Sequence, residues 1–171
     1  ADTALALWIV FTHLLEVVAV APILALCSPE KRCGKTTLLA LLIRLVCRPL
    51  PSSNVSPAAL FRSIEKWRPT LLIDEADTFL GLSDELHNIL NASHTRDAAW
   101  VLRTVGDDFE PRQFSVWGAK ALAQIGKPPD TVLDRSIVIE MRRKKPGEKA
   151  EKLRHAENAA LEELRRQIAR F

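Results

Sequence analysis

The residues best equipped for chemistry are Gly34, Lys35 and Thr36, which follow Ser28-Pro29-Glu30-Lys31-Arg32-Cys33 and precede Thr37. They satisfy the last three positions of the phosphate-loop pattern G-x-x-x-x-G-K-[ST], while Pro29 stands where that pattern begins with glycine. Such a loop turns backbone N–H groups toward the phosphates of a nucleotide, and the helix after it adds the partial positive charge of its N-terminus. Gly34 leaves room at the tight turn, Lys35 reaches the β and γ phosphates, and the Thr36 hydroxyl can hold Mg²⁺. Residues Pro29 to Thr37 are therefore the expected ATP-binding stretch. Pro29 lies at the loop entrance, ahead of the N–H groups nearest Lys35, where its missing donor and fixed φ are tolerated.

A second group follows the apolar run Thr70-Leu71-Leu72-Ile73, which ends in Asp74-Glu75. Ligands of open α/β sheets bind outside the carboxyl ends of the strands, so this pair is expected to converge with the phosphate loop. Asp74 would share a hydrated Mg²⁺ with Thr36, and Glu75 would orient or deprotonate the water that attacks the γ phosphate. Alone, an Asp-Glu pair after a strand reads equally as a turn with a helix cap. The phosphate loop upstream favours the catalytic role.

Other candidates are looser. Asn91, His94 and Arg96 form a polar group that could sense the γ phosphate or a neighbouring subunit. Phe114 to Gly118 reads as a buried strand, which puts Lys120 just past its end as a sensor, with Ser115 and Trp117 as weaker choices. Arg135 precedes the last apolar run and can either reach a neighbour's nucleotide or pair with Asp130 or Asp134. Arg142-Arg143-Lys144-Lys145 can contact nucleic-acid phosphates or form a solvated turn.

The elements that must position these groups follow from periodicity and punctuation. Ala4 to Glu16 reads as a helix with Leu5, Trp8, Ile9, Thr12 and Leu15 on one face, and Ile23 to Cys27 as a strand buried on both faces. Thr37 to Cys47 reads as a helix stopped by Pro49 and Pro51. A short strand is expected at Asn54 and Val55. Ser56-Pro57 is a helix start with Ser at the N-cap, leading into Ala58 to Trp67. A short helix from Leu82 or Ser83 to Asn91 precedes Trp100 to Val105, the turn Gly106-Asp107-Asp108, and a return arm or connection from Phe109 to Phe114. By analogy with ring ATPases, such a hairpin reaches into a central channel. Ala119 to Ile125 reads as a short helix closed by Gly126, Thr131 to Asp134 as a helical turn, and Ser136 to Met141 as the final strand. Glu148 to Ile168 reads as a charged helix with a stripe of Leu153, Ala156, Ala160, Leu164 and Ile168.

Composition bounds the class. The 171 residues are 47% apolar, which excludes a disordered chain, and suit one domain. We expect a core over residues 1–147 and a C-terminal helix over 148–171. The net charge of +3 is a weak basic bias compatible with nucleic acid. Cys27, Cys33 and Cys47 form no C-x-x-C and leave an odd count, pointing to a reducing, cytoplasmic compartment. The apolar N-terminal run is expected to be a buried amphipathic helix rather than a signal or membrane span, since Asp2 replaces a basic start and His13 and Glu16 interrupt the run. The start at Ala1 is expected to be a boundary within a longer protein with flanking modules.

Taken together, Ser28 to Thr36, Thr70 to Glu75, Phe114 to Gly118, Asn91 to Arg96 and Pro129 to Ile137 resemble the additional-strand P-loop ATPases of the AAA+ class. Within it, the chain looks similar to an uncharacterised ATPase domain of bacteriophages and mobile elements, often joined to primase modules. The resemblance implies a five-stranded, mostly parallel α/β sheet flanked by helices, with the helical lid reduced or absent. It also implies that Lys35 and Thr36 are the phosphate-loop pair, Asp74 and Glu75 the magnesium and catalytic acids, and Arg135 an arginine finger. ATP and Mg²⁺ as ligands, assembly into a homo-oligomeric ring, and work on DNA as a helicase or loader are the expected function. The alternatives are a small-molecule kinase and a nucleotide-dependent interaction module without turnover.

Overall fold

The computed structural model describes residues 1–53, 55–80, 84–149, 153 and 158–170. The chain runs α1 (Asp2–His13), β1 (Ile23–Ser28), α2 (Lys35–Leu45), β2 (Pro49–Ser52), α3 (Pro57–Trp67), β3 (Thr70–Ile73), α4 (Ala76–Leu80) and α5 (Asp84–Ala92). The expected start of α5, at Leu82 or Ser83, falls outside the described residues. The chain continues through β4 (Trp100–Val105), β5 (Glu110–Ser115), β6 (Lys120–Ile125), α6 (Asp130–Leu133), β7 (Ser136–Glu140) and α7 (Asn158–Arg170). Five strands form one parallel sheet in the order β2-β3-β6-β1-β7. β6 lies between β1 and β3, so one strand separates the strand that leads into the phosphate loop from the strand that delivers Asp74. This is the topology of an AAA+-like P-loop NTPase core.

Helices cover both faces, and successive residues of the central strands point alternately into two apolar layers. Leu24, Leu26, Leu72, Ala121 and Ala123 pack with Leu39 and Leu42 of α2 and Trp8 of α1. Ile23, Leu71, Ile73 and Leu122 pack on the other face with Leu60, Phe61 and Ile64 of α3 and Ile89 of α5. Truncating one of the fully buried leucines to alanine costs about 2–5 kcal/mol. The strand therefore holds its register strongly, because a slip of one residue exchanges the two layers.

Four elements differ from their sequence expectation. Ala119 to Ile125 is a strand rather than a helix: its alanines favour a helix intrinsically, but they sit beneath α2, where small side chains let the helix lie close to the central strand. Phe114 to Gly118 is correspondingly not a core strand. Its first two residues end β5, which pairs antiparallel with β4 in a separate hairpin, and Val116 N–H donates to Ala99 O at 2.9 Å. The second strand is Pro49–Ser52, earlier than Asn54 and Val55; of these Val55 lies outside any strand and residue 54 is outside the described residues. The two prolines tolerate this because β2 is an edge: the carbonyls of Arg48 and Ser52 accept from β3 and the residue after it, while Pro49 and Pro51 turn their missing donors to the open side.

The expected C-terminal stripe is rotated. Leu161 and Ile168 of α7 rest against the α1–α2 layer, whereas Leu164 is exposed. Leu153 lies outside the helix, and Ala156 is outside the described residues. The first half of that expected helix, from Glu148, is not helical through Lys149; Gly147, at φ +86, makes a turn there. Among the described residues, no helix is long and apolar enough to cross a membrane.

Candidate nucleotide site

The phosphate loop is positioned by β1, whose last residue, Ser28, is buried and accepts a hydrogen bond from Lys35 Nζ. Ser28 Oγ donates in turn to Glu30 O at 2.7 Å. Backbone curvature comes from two left-handed residues, Arg32 at φ +65 and Gly34 at φ +85. Glycine tolerates that geometry freely, whereas arginine adopts it at a cost of about 1–2 kcal/mol. Gly34 then caps α2, and Cys33 is buried beneath the loop. Among the described residues, no acceptor takes the backbone N–H groups from Lys31 to Thr37. Those donors remain free for an anion at the helix N-terminus.

Opposite the loop, β3 ends in Asp74, whose carboxylate is held at both oxygens. Thr36 Oγ1 donates to Asp74 Oδ2 at 2.9 Å, and Glu75 N–H donates to Asp74 Oδ1 at 2.9 Å. Glu75 sits at φ +55, an outlier for a residue with a side chain, and its carboxylate is exposed at the cleft rim. A cleft of 720 Å³ is lined by Lys31, Gly34, Lys35, Thr36, Asp74 and Glu75, together with Arg32, Cys33, Thr37, Asp77, Thr78 and Ile125. That volume is within the usual range of small-molecule and cofactor pockets. A hydroxyl and a carboxylate meeting across it are hard oxygen donors, the set that fits Mg²⁺. Free N–H groups and Lys35 supply the complementary set for phosphates.

Pro29 and Glu30 do not line this cleft. Glu30 is engaged by Arg143, whose Nη2 lies 2.9 Å from Glu30 Oε2 and whose Nε donates to Lys31 O at 3.2 Å. Arg143 thus straps the outside of the loop to the end of the sheet, and Arg142 binds Glu148 through two hydrogen bonds of 3.0 and 2.6 Å. That bond pulls the Glu148 carboxyl down to about 2. Of the basic run, only Lys144 and Lys145 keep side chains without an acidic partner among the described residues. Burial, with Glu140 adding to it, pushes the Cys27 thiol up, so it stays protonated under the loop.

The remaining sensor candidates stand elsewhere. Lys120 opens β6 at the end remote from the cleft, fully buried, and donates to Val116 O at 3.0 Å and Gly118 O at 2.8 Å. Desolvation lowers its pKa to about 7. The expectation of Lys120 just past a strand end rests on a core strand at Phe114 to Gly118; the core strand is instead β6, so Lys120 stands at a strand beginning and does not line the cleft. Ser115 and Trp117 share this remote end. His94 O accepts from Ala21 N–H at 2.8 Å, and Arg96 Nη1 donates to Glu16 O at 2.5 Å, so both flank the approach to β1. Asn91 Nδ2 donates to Thr131 Oγ1 at 3.3 Å. None of the three lines the cleft.

Arg135 follows α6, and its Nη1 donates to Thr131 O at 2.6 Å. Among the described residues it makes no ion pair with Asp130 or Asp134. Its carbonyl accepts from Ile23 N–H at 2.9 Å, which places it at the N-terminal end of the sheet, far from its own cleft. Gln124, which carried no expectation from the sequence, is a buried polar residue near the cleft end of β6 that does not itself line the cleft. It occupies the penultimate position of β6, opposite Cys27, and is buried with Oε1 lacking a partner among the described residues. A polar residue closing an otherwise apolar Ala-Leu-Ala run was the available signal, once that run is read as a strand.

No protein-family model matches this chain, and no curated protein matches it. Among solved structures, the chain is similar to one described as the X-ray structure of JCV helicase, with 15% identity and a TM-score of 0.47. The similarity covers 82% of this chain and 40% of that one, so this chain spans less than half of that helicase's length.

Proposed function

We propose that this chain is the ATP-hydrolysing core of a motor that works on DNA, as a helicase or loader in the replication of mobile elements. The observation that carries it is the direct meeting of Thr36 and Asp74 across the cleft, with Lys35 at its floor and Glu75 at its rim. Lys35 and the free loop N–H groups bind the phosphates. Thr36 and Asp74 hold Mg²⁺, which when bound supplies charge to offset that developing on the phosphoryl oxygens. Glu75 takes the proton of the attacking water. Arg135, unable to reach its own cleft, acts on the nucleotide of the next subunit in a homo-oligomeric ring. The primase-linked, cytoplasmic setting and the division into residues 1–147 and 148–171 rest on the sequence reading alone.

The test is ATP turnover with Mg²⁺, with and without DNA, for the wild type and Glu75→Gln. Turnover that DNA stimulates, and that Glu75→Gln removes while nucleotide still binds, is the expected result. Phosphate transfer to a small acceptor without response to DNA would make the chain a kinase, and binding without turnover would make it an interaction module.

A further inference from the structure

A second cavity, of 360 Å³, opens at the opposite end of the sheet from the nucleotide cleft. Its wall is made by residues just ahead of three core strands and at the foot of the β4–β5 hairpin: Arg48, Arg68, Trp117 and Trp100, joined by Arg96 and Glu16. We propose that this cavity holds one unit of a single-stranded nucleic acid, phosphate against the guanidinium groups and base against the indoles. The inference rests on the motor function proposed above and assigns its polymer-contact site.

Charge favours an anion there. Glu65 is already taken by Arg112 at 3.0 Å, and Glu16 is shared by Arg68 and Arg96 at 3.6 Å each, long contacts between exposed groups. Arg48 has no acidic partner among the described residues. A phosphate can therefore enter without breaking a strong ion pair. Indoles supply the other half of single-strand recognition, since every base has a face that stacks. Trp117 is fixed by its Nε1 bond to Leu15 O at 3.3 Å, and Trp100 stands 48% exposed.

Backbone geometry gives an independent sign. Arg48 and Arg68 both sit at φ +46, just beyond the ends of α2 and α3, where glycine is the unstrained residue. Two arginines kept in left-handed positions on one cavity wall point to a use for their side chains. The hairpin tip, by contrast, carries Asp107, Asp108 and Glu110. It repels a phosphate chain, so the anion is directed to the hairpin's foot.

The glycine preference supplies a clean test on the whole chain. Arg48→Gly and Arg68→Gly remove the guanidinium groups while relieving the backbone, so Tm should hold or rise. Binding of a fluorescein-labelled oligothymidylate, followed by anisotropy without nucleotide, should weaken at least tenfold in the double variant. The salt slope of log K should fall by about 0.7 for each phosphate that is no longer neutralised. Trp100→Ala should weaken binding with an unchanged slope, and Glu16→Gln should tighten it. Unchanged affinity in the double variant, no binding by the wild type, or equal competition by polyglutamate would each overturn the proposal, the last by making an acidic protein the partner. Basal ATP turnover, read in the same variants, tests the motor reading separately and should be unaltered.

Discussion

At the C-terminal end of the sheet, the functional groups Lys35, Asp74 and Glu75 stand just past β1 and β3, on a loop and a turn rich in free backbone donors. At the N-terminal end, Arg48, Arg68 and Trp117 stand just before β2, β3 and β6, on connections that follow helices α2 and α3 and the hairpin. The first end presents N–H groups and carboxylates, suited to a phosphate-bound metal. The second presents guanidinium groups and indoles, suited to a polymer that is anionic and aromatic. What separates them is only the length of the strands, about 20 Å for six residues at the usual rise. A parallel sheet sorts chemistry by pole because every strand enters at one end and leaves at the other.

The largest expected effect that would break this division is at Glu75. Glu75→Gln should lower ATP turnover roughly a thousandfold while leaving nucleotide affinity nearly unchanged, which a turnover assay beside equilibrium binding will read. Arg135→Ala comes next. It should lower turnover about a hundredfold or more in an assembled ring and leave an isolated monomer unaffected, so equal loss in both would place the arginine in its own cleft.

Lys120 sharpens the comparison through stability. Its folded pKa, about 7, lies below the ordinary 10.5, so the unfolded chain binds more protons between those values. Stability should therefore rise as pH increases from about 7 to about 10.5 by a few kcal/mol, and remain at its lower level below pH 7. Lys120→Met should remove that slope in denaturant titrations run across the window, because no proton is then exchanged. A slope that survives the substitution would assign it to other groups. The smallest effect is expected at the loop strap: Arg143→Ala should raise the KM for ATP two- to fivefold, as an exposed pair worth about 0.2–1 kcal/mol allows, with kcat held.

Much of the secondary structure around the cleft was legible because local rules and tertiary placement agree there. Gly34, Lys35 and Thr36 follow a strand and open a helix, Ser56 caps α3 with its Oγ accepting from Ala59 N–H at 3.3 Å, and Asp74-Glu75 ends an apolar run. The region from Phe114 to Ile125 was illegible for the opposite reason. Val116 and Trp117 look like strand interior but lie in a connection, while Lys120-Ala121-Leu122-Ala123 looks helical but fills the centre of the sheet. Neither preference survives packing against α2 and the flanking strands. That exchange leaves Gln124 rather than Lys120 near the cleft end of the strand.

Residue types at short, fixed spacing were enough to place Gly34-Lys35-Thr36 between a strand and a helix and Asp74-Glu75 at the end of another strand, and the resemblance they carry implied the class of sheet. Three other relations came from the folded chain: Arg143 straps the loop, Arg135 lies at the far pole, and three arginines and two tryptophans scattered between residues 48 and 117 share one cavity. They are set by strand order and by the helices that return the chain to the start of each strand, and no local spacing encodes them.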